Sequence, residues 1–239
     1  MTPTIPPGLL RRRTLLAAPA AALTLAACGT SGNVDLRQHV NFAPPPPQDA
    51  QPELRSPQAI VQALRRGGLI IYLRHGRTRY DQIELERNNR NAGRFDLARC
   101  DTQRQLSDEG RAELRVAGGQ FRIAAPAIDR AWSSRYCRAT ESAAFFVDGA
   151  QAVQDLSGEG DFGIDPSIKG RVQAFFAQRP AQGKNHFMMA HGGIYWLATG
   201  NTVQEAHTVL MDPSDIRRIV ARIGPAEWGV VAQAMVGLG

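Results

Sequence analysis

The chain has 239 residues and a formal net charge of +6, and every basic residue except Lys169 and Lys184 is an arginine. Three arginines, Arg11 to Arg13, sit in an N-terminal segment of their own, and without them the excess falls to about +3. So mild and scattered a charge, with no aromatic-rich module, argues against nucleic acid as a partner and suits a small anion better.

Arg11-Arg12-Arg13-Thr14-Leu15-Leu16 leads into alanine and leucine up to Ala27. About 13 apolar or small residues are too few to span a bilayer permanently but suit an export signal. Leu25-Ala26-Ala27-Cys28 resembles the lipobox of bacterial lipoproteins, and Arg12-Arg13 before Thr-Leu-Leu resembles a twin-arginine signal. The reading is a signal at 1–27, lipidation at Cys28, and anchorage in a bacterial envelope facing the periplasm or the exterior. A plain cleaved signal and an uncleaved anchor are the alternatives. Residues 28–56 turn to Gly, Ser, Gln and Pro, with four prolines at Pro44 to Pro47, which gives a stiff spacer carrying an idle His39.

One domain is expected over 57–239, and roughly 180 residues suffice for one core. Ser56-Pro57 precedes a helix over Gln58 to Arg66, whose Ile60, Val61 and Leu64 share a face and which Gly67-Gly68 ends. Leu69 to Leu73 is an unbroken apolar run between glycine and a polar cluster, as expected of a strand buried on both faces. A second strand ends at Trp132, and a third covers Phe187 to Ala190. Helices fill Asp108 to about Phe121 and Arg138 to Phe146. Strands alternating with helices predict a three-layer α/β/α fold around a largely parallel sheet.

Each of the three apolar runs stops at a polar cluster: Arg74-His75-Gly76, Ser133 through Arg138, and His191-Gly192-Gly193. In open α/β sheets ligands bind beyond the carboxyl ends of strands, so the three clusters are expected to converge on one pocket. Glycines at 76, 192 and 193 would let backbone amides approach a bound anion.

These residues carry a resemblance. Arg74-His75-Gly76-Arg-Thr78-Arg-Tyr-Asp81 is close to the RHGxTxxN/D motif of the histidine phosphatase superfamily, which includes cofactor-dependent phosphoglycerate mutases. Leu106-Ser107-Asp108-Glu109-Gly110-Arg111 resembles its LTxxGR helix start. Ser133-Ser134-x3-Arg138-Ala139-x-Glu141-Ser142-Ala143 resembles SSxxxRAxETA, with serine for threonine, and Ala190-His191-Gly192-Gly193 completes the set. Four motifs in order on the expected elements are a specific signal.

The resemblance implies a phosphoglycerate mutase-like fold and a phosphatase acting on small phosphorylated substrates, with no metal or other cofactor. His75 would be the nucleophile, and Arg74, Arg138 and His191 would stabilise the transferring group. Gly76, Thr78, Asp81 and Gly192 would complete the binding site. Phosphoryl transfer asks for these residue types: fixed cations for the peripheral oxygens and an unprotonated nucleophile at phosphorus. Arginine suits the first because its fork can serve two oxygens. The general acid would be Glu159, in Leu156-Ser-Gly-Glu159-Gly-Asp161, with Asp161 and Asp155 in reserve.

His186 and His207 lack metal-ligand spacing with each other or with carboxylates and read as structural or exposed. Cys100 and Cys137 form either a disulfide at the pocket rim or two buried thiols. Substrate choice would lie in the Gln82 to Arg104 insertion and the Ala150 to Gly170 loop. Three functions fit: a phosphomonoesterase outside the cytoplasm, a phosphohistidine protein phosphatase, or a silent lipoprotein that binds an anion or a protein partner.

Overall fold

The computed structural model describes residues 53–79, 96–158 and 166–238. The signal segment, Cys28, His39 and the proline run lie outside the described residues, as do Asp81, Glu159 and Asp161.

The described chain forms six α-helices and six strands: α1 (Pro57–Arg66), β1 (Ile70–Arg74), α2 (Asp108–Ala124), β2 (Ile128–Ser134), α3 (Cys137–Phe146), β3 (Gln151–Val153), α4 (Lys169–Phe176), β4 (Asn185–Ala190), α5 (Gly192–Thr199), β5 (Thr208–Asp212), β6 (Asp215–Ile223) and α6 (Trp228–Gly237). The strands make one sheet in the order β3-β2-β4-β1-β5-β6. β3, β2, β4 and β1 run parallel, and the β5–β6 hairpin is added antiparallel to β1. The sheet is therefore the largely parallel one expected, with an antiparallel edge.

Strand alternation builds the layers. Ile71 and Leu73 of β1, with Phe187 and Met189 of β4, point to α1, α2, α3 and α6, where they pack on Leu64, Leu114 and Trp228. Ile70 and Tyr72, with Met188 and Ala190, point the other way onto Val172 and Phe176 of α4 and Ile194 of α5. Neither face is solvated, which is why the sequence of β1 shows no polar alternation. Phe121 of α2 makes edge contacts with Phe146, Phe187 and Trp228 at centroid distances of 5.5, 5.8 and 5.0 Å. Truncating so central a ring to alanine would cost about 3–5 kcal/mol.

The helix starts follow local chemistry. Ser56 Oγ accepts the amide of Ala59, and Pro57 occupies the first turn of α1, where no hydrogen bond is lost. Ser107 Oγ accepts the amide of Gly110 at 3.0 Å, with Asp108 and Glu109 in the first turn of α2. Among the described residues no helix is long and apolar enough to cross a membrane.

Candidate active site

The polar clusters after β1, β2 and β4 converge because these are three adjacent parallel strands, in the order β2-β4-β1. His75 follows β1, His191 follows β4, and Arg138 stands in the first turn of α3 just beyond β2. The two imidazoles lie edge to face, with ring centroids 5.2 Å apart. Arg138 joins them: its Nε donates to His75 Nε2 at 3.3 Å, and its Nη2 lies 3.5 Å from His191 Nδ1.

His75 is held by backbone on both sides. Its amide donates to Ala190 O of β4, and its carbonyl accepts the amide of Ala206, each at 3.0 Å. The ring is fixed by Nδ1, which donates to Gly76 O at 2.8 Å and so leaves the Nε2 lone pair on the Arg138 side. Burial, and after it the Arg138 charge, drives the His75 pKa well below 6.5. The imidazole is therefore neutral at ordinary pH.

His191 is organised the other way round. Its Nε2–H donates to Ser134 Oγ at 2.7 Å, leaving Nδ1 as the acceptor towards Arg138. Burial first, then Arg138 and His75, hold its pKa well below 6.5 as well.

Each motif residue has a structural duty. Ser134 Oγ also accepts the amide of Tyr136, while Ser142 Oγ accepts the amide of Gly76 and donates to Arg138 O, tying α3 to the loop after His75. Glu141 pairs with Arg111 of α2 at 2.6 Å. Gly110 is needed because a Cβ there would stand 2.3 Å from Arg77 O, so only glycine lets α2 start against the loop after His75.

Two expectations change. Gly76 does not offer its amide to an anion, since that amide is engaged with Ser142; the residue is glycine because a Cβ would stand 2.5 Å from Leu114 Cδ1. Asp155 is held by Arg171 at 2.7 Å, which removes it from the reserve acids. Thr78 is buried, pairs through its backbone with Leu106, and places Oγ1 3.5 Å from Glu205 Oε1. Gly192 opens α5 against the Arg74 guanidinium, which a Cβ there would approach to 3.1 Å.

The sequence reading missed two charged residues. Glu205 accepts from Arg74 Nη2 at 3.2 Å, while Arg74 Nη1 donates to Val203 O. Arg104, assigned to a specificity insertion, is close enough for its charge to lower the pKa of both histidines. Nothing in the periodicity marks either one; Arg104 stands two residues before Leu106, and that proximity to the motif was the available signal. Cys100 and Cys137 are joined by a disulfide with Cα atoms 5.6 Å apart.

His186 is buried against Trp132 with Asp129 at 3.8 Å, and His207 Nδ1 bonds to Glu205 O. Among the described residues no group of His, Cys, Asp or Glu is placed to hold a metal.

No family model and no curated protein matches the chain. Among solved structures, the protein histidine phosphatase SixA complexed with tungstate aligns over 66% of this chain and 97% of its own, at 16% identity and a TM-score of 0.46. A phosphoglycerate mutase from Thermus thermophilus aligns over 64% of this chain and 97% of its own, at 18% identity and a TM-score of 0.45.

Proposed function

We propose that this chain is a phosphatase of the histidine phosphatase type that hydrolyses phosphomonoesters through a phosphohistidine on His75, outside the cytoplasm and tethered through Cys28. One observation carries the chemistry: a buried, neutral imidazole whose unprotonated Nε2 accepts from a guanidinium, with a second imidazole 5.2 Å away. Three arginine charges act on this imidazole together, which marks it as a candidate functional group.

In this reading Nε2 of His75 attacks phosphorus and the ester P–O bond breaks, its electron pair leaving with the alkoxide. Arg138, Arg74 and Arg104 balance the charge on the peripheral oxygens. A carboxylic acid protonates the alkoxide; Glu159 keeps that role as the sequence assigns it. Water then attacks phosphorus and gives a proton back to the carboxylate, the P–N bond breaks with its electron pair returning to Nε2, and neutral imidazole and inorganic phosphate result.

Phosphohistidine on a protein is the second reading. It is favoured by the engagement of both described carboxylates near the strand ends, Asp155 with Arg171 and Glu205 with Arg74. A phosphoramidate is activated and places a lighter demand on an acid.

The test is intact mass of the full chain mixed with an aryl phosphate and quenched quickly in alkali, beside His75→Ala. An adduct of one phosphoryl group that disappears in the variant, with release of phosphate, is the expected result. If neither adduct nor turnover occurs across phosphoesters and a phosphohistidine peptide, the chain is an anion-binding lipoprotein instead.

A further inference from the structure

The segment from Asp96 to Gln105 is knitted internally and then fastened at its ends. Thr102 Oγ1 lies within 2.8 Å of Arg99 O and 3.0 Å of Asp96 O, and Gln103 Nε2 donates to Leu97 O at 3.1 Å. Two ties to α3 meet at a single residue. The disulfide joins Cys100 to Cys137, and Gln103 Oε1 accepts the Cys137 amide at 2.8 Å. At the other end Gln105 O accepts the Arg79 amide at 3.0 Å, and Leu106 pairs with Thr78.

Arg104 is therefore bracketed between the helix start that carries Arg138 and the loop that follows His75. Its Nε is buried. A long cationic side chain held this way has little freedom left, and its ordering entropy is met before substrate arrives. Its charge acts on both histidines in the same direction as those of Arg138 and Arg74.

We propose that Cys100 and Gln103 are positioning residues for Arg104: through their common anchor at Cys137 they hold this third guanidinium at the phosphoryl site, so the disulfide sets the affinity for the phosphorylated substrate. The inference rests on the phosphatase reading for the identity of the anion. Reduction by a dithiol delivers two electrons and two protons to the bridge, giving the Cys100 and Cys137 thiols and leaving the reagent as its own disulfide. Arg138 is unaffected by that step, because its helix is secured separately through Glu141 and Ser142. Affinity should therefore fall further than turnover.

The experiment uses the full chain, oxidised and reduced, with an aryl phosphate as substrate and inorganic phosphate as competing ligand. On reduction KM and the phosphate inhibition constant should rise about tenfold, the worth of one charge-assisted contact, while kcat changes about twofold or less. Gln103→Ala, with the bridge intact, should move KM in the same direction. In an Arg104→Ala background neither reduction nor Gln103→Ala should have any further effect. That loss of response separates positioning of Arg104 from general loosening of the fold.

A reduced protein with unchanged circular dichroism, KM and inhibition constant overturns the inference, and so does an equal response in the Arg104→Ala background. Should reduction unfold the protein, Gln103→Ala with and without Arg104→Ala decides. If the oxidised protein turns over no aryl phosphate, the phosphatase reading fails first. Calorimetry with inorganic phosphate then judges the positioning alone: tighter binding to the oxidised form supports it, and equal or absent binding refutes it.

Discussion

Arg138 Nε donates to His75 Nε2 at 3.3 Å, so the guanidinium and the imidazole share one hydrogen bond. In the proposed reaction an incoming phosphoryl group would have to break that bond, because the same lone pair would have to reach phosphorus. The guanidinium would then turn its donors to the peripheral oxygens that flank the forming P–N bond.

Arg138→Ala should lower kcat by about 10²–10³-fold, as loss of a donor aimed at developing charge does. Arg138→Lys should recover little of it, since one ammonium cannot serve both imidazoles and the phosphoryl oxygens as a fork can. Steady-state kinetics with an aryl phosphate measures both; full activity in the lysine variant would remove Arg138 from the site.

Activity should persist into acid. His75 is held neutral well below 6.5, chiefly by burial and next by Arg138, so the limb of kcat/KM that reports its protonation should lie below pH 6.5. Stability has the matching sign. Above about pH 6.5 both folded and unfolded states carry His75 and His191 neutral; as pH falls below that value the unfolded chain takes up protons that the folded one refuses, and stability declines. Chemical denaturation between pH 8 and 5 checks it, His75→Ala and His191→Ala being expected to flatten the slope.

Binding of phosphate should draw a proton onto His191. Its Nε2–H is committed to Ser134, and its Nδ1 meets Arg138 as an acceptor, so it has no hydrogen to give a phosphoryl oxygen until Nδ1 is protonated. A dianion beside it supplies the missing incentive by favouring the charged imidazole. Calorimetry in buffers of different ionisation enthalpy should record proton uptake on phosphate binding near neutral pH, and His191→Ala should abolish most of it.

Two glycines of α2 should respond oppositely to alanine. At Gly119 a Cβ would meet nothing within 4 Å, so the substitution should stabilise by about 0.5–1 kcal/mol through helix propensity alone. At Gly110 the Cβ would stand 2.3 Å from Arg77 O, and overpacking of about 1–3 kcal/mol outweighs that gain. Because Arg77 is two residues from His75, Gly110→Ala should also depress activity, as thermal melts and kinetics on both variants would reveal.

The strands and helices nearest the site were legible because their signals are local: an apolar run ending in Arg-His-Gly, a helix start at Leu106 to Arg111, a strand ending at Trp132 before the Ser133 to Arg138 cluster. The β5–β6 hairpin was missed although Asp212-Pro213-Ser214-Asp215 between two apolar runs is a turn signal. α5 escaped because Ile194 to Ala198 is apolar with no polar face, and periodicity cannot separate a buried helix from a strand. Glu205 was invisible for a different reason, and Arg104 had only its nearness to Leu106 to mark it. A charge acquires meaning only from what the fold sets opposite it, and both reach the site from segments remote in sequence from the histidines.

The two backbone bonds of His75 should place it where a solvent deuteron arrives late. Its amide is bonded to β4 and its carbonyl to the turn that leads into β5, beside the central strands of the sheet, so exchange at that amide should need the same opening that melts the whole molecule. Local fraying should be able to take an edge such as β3 or β6 while His75 keeps its place. For a protein read as working beyond the reach of cytoplasmic chaperones, the catalytic residue would then be the last part of the fold to fail.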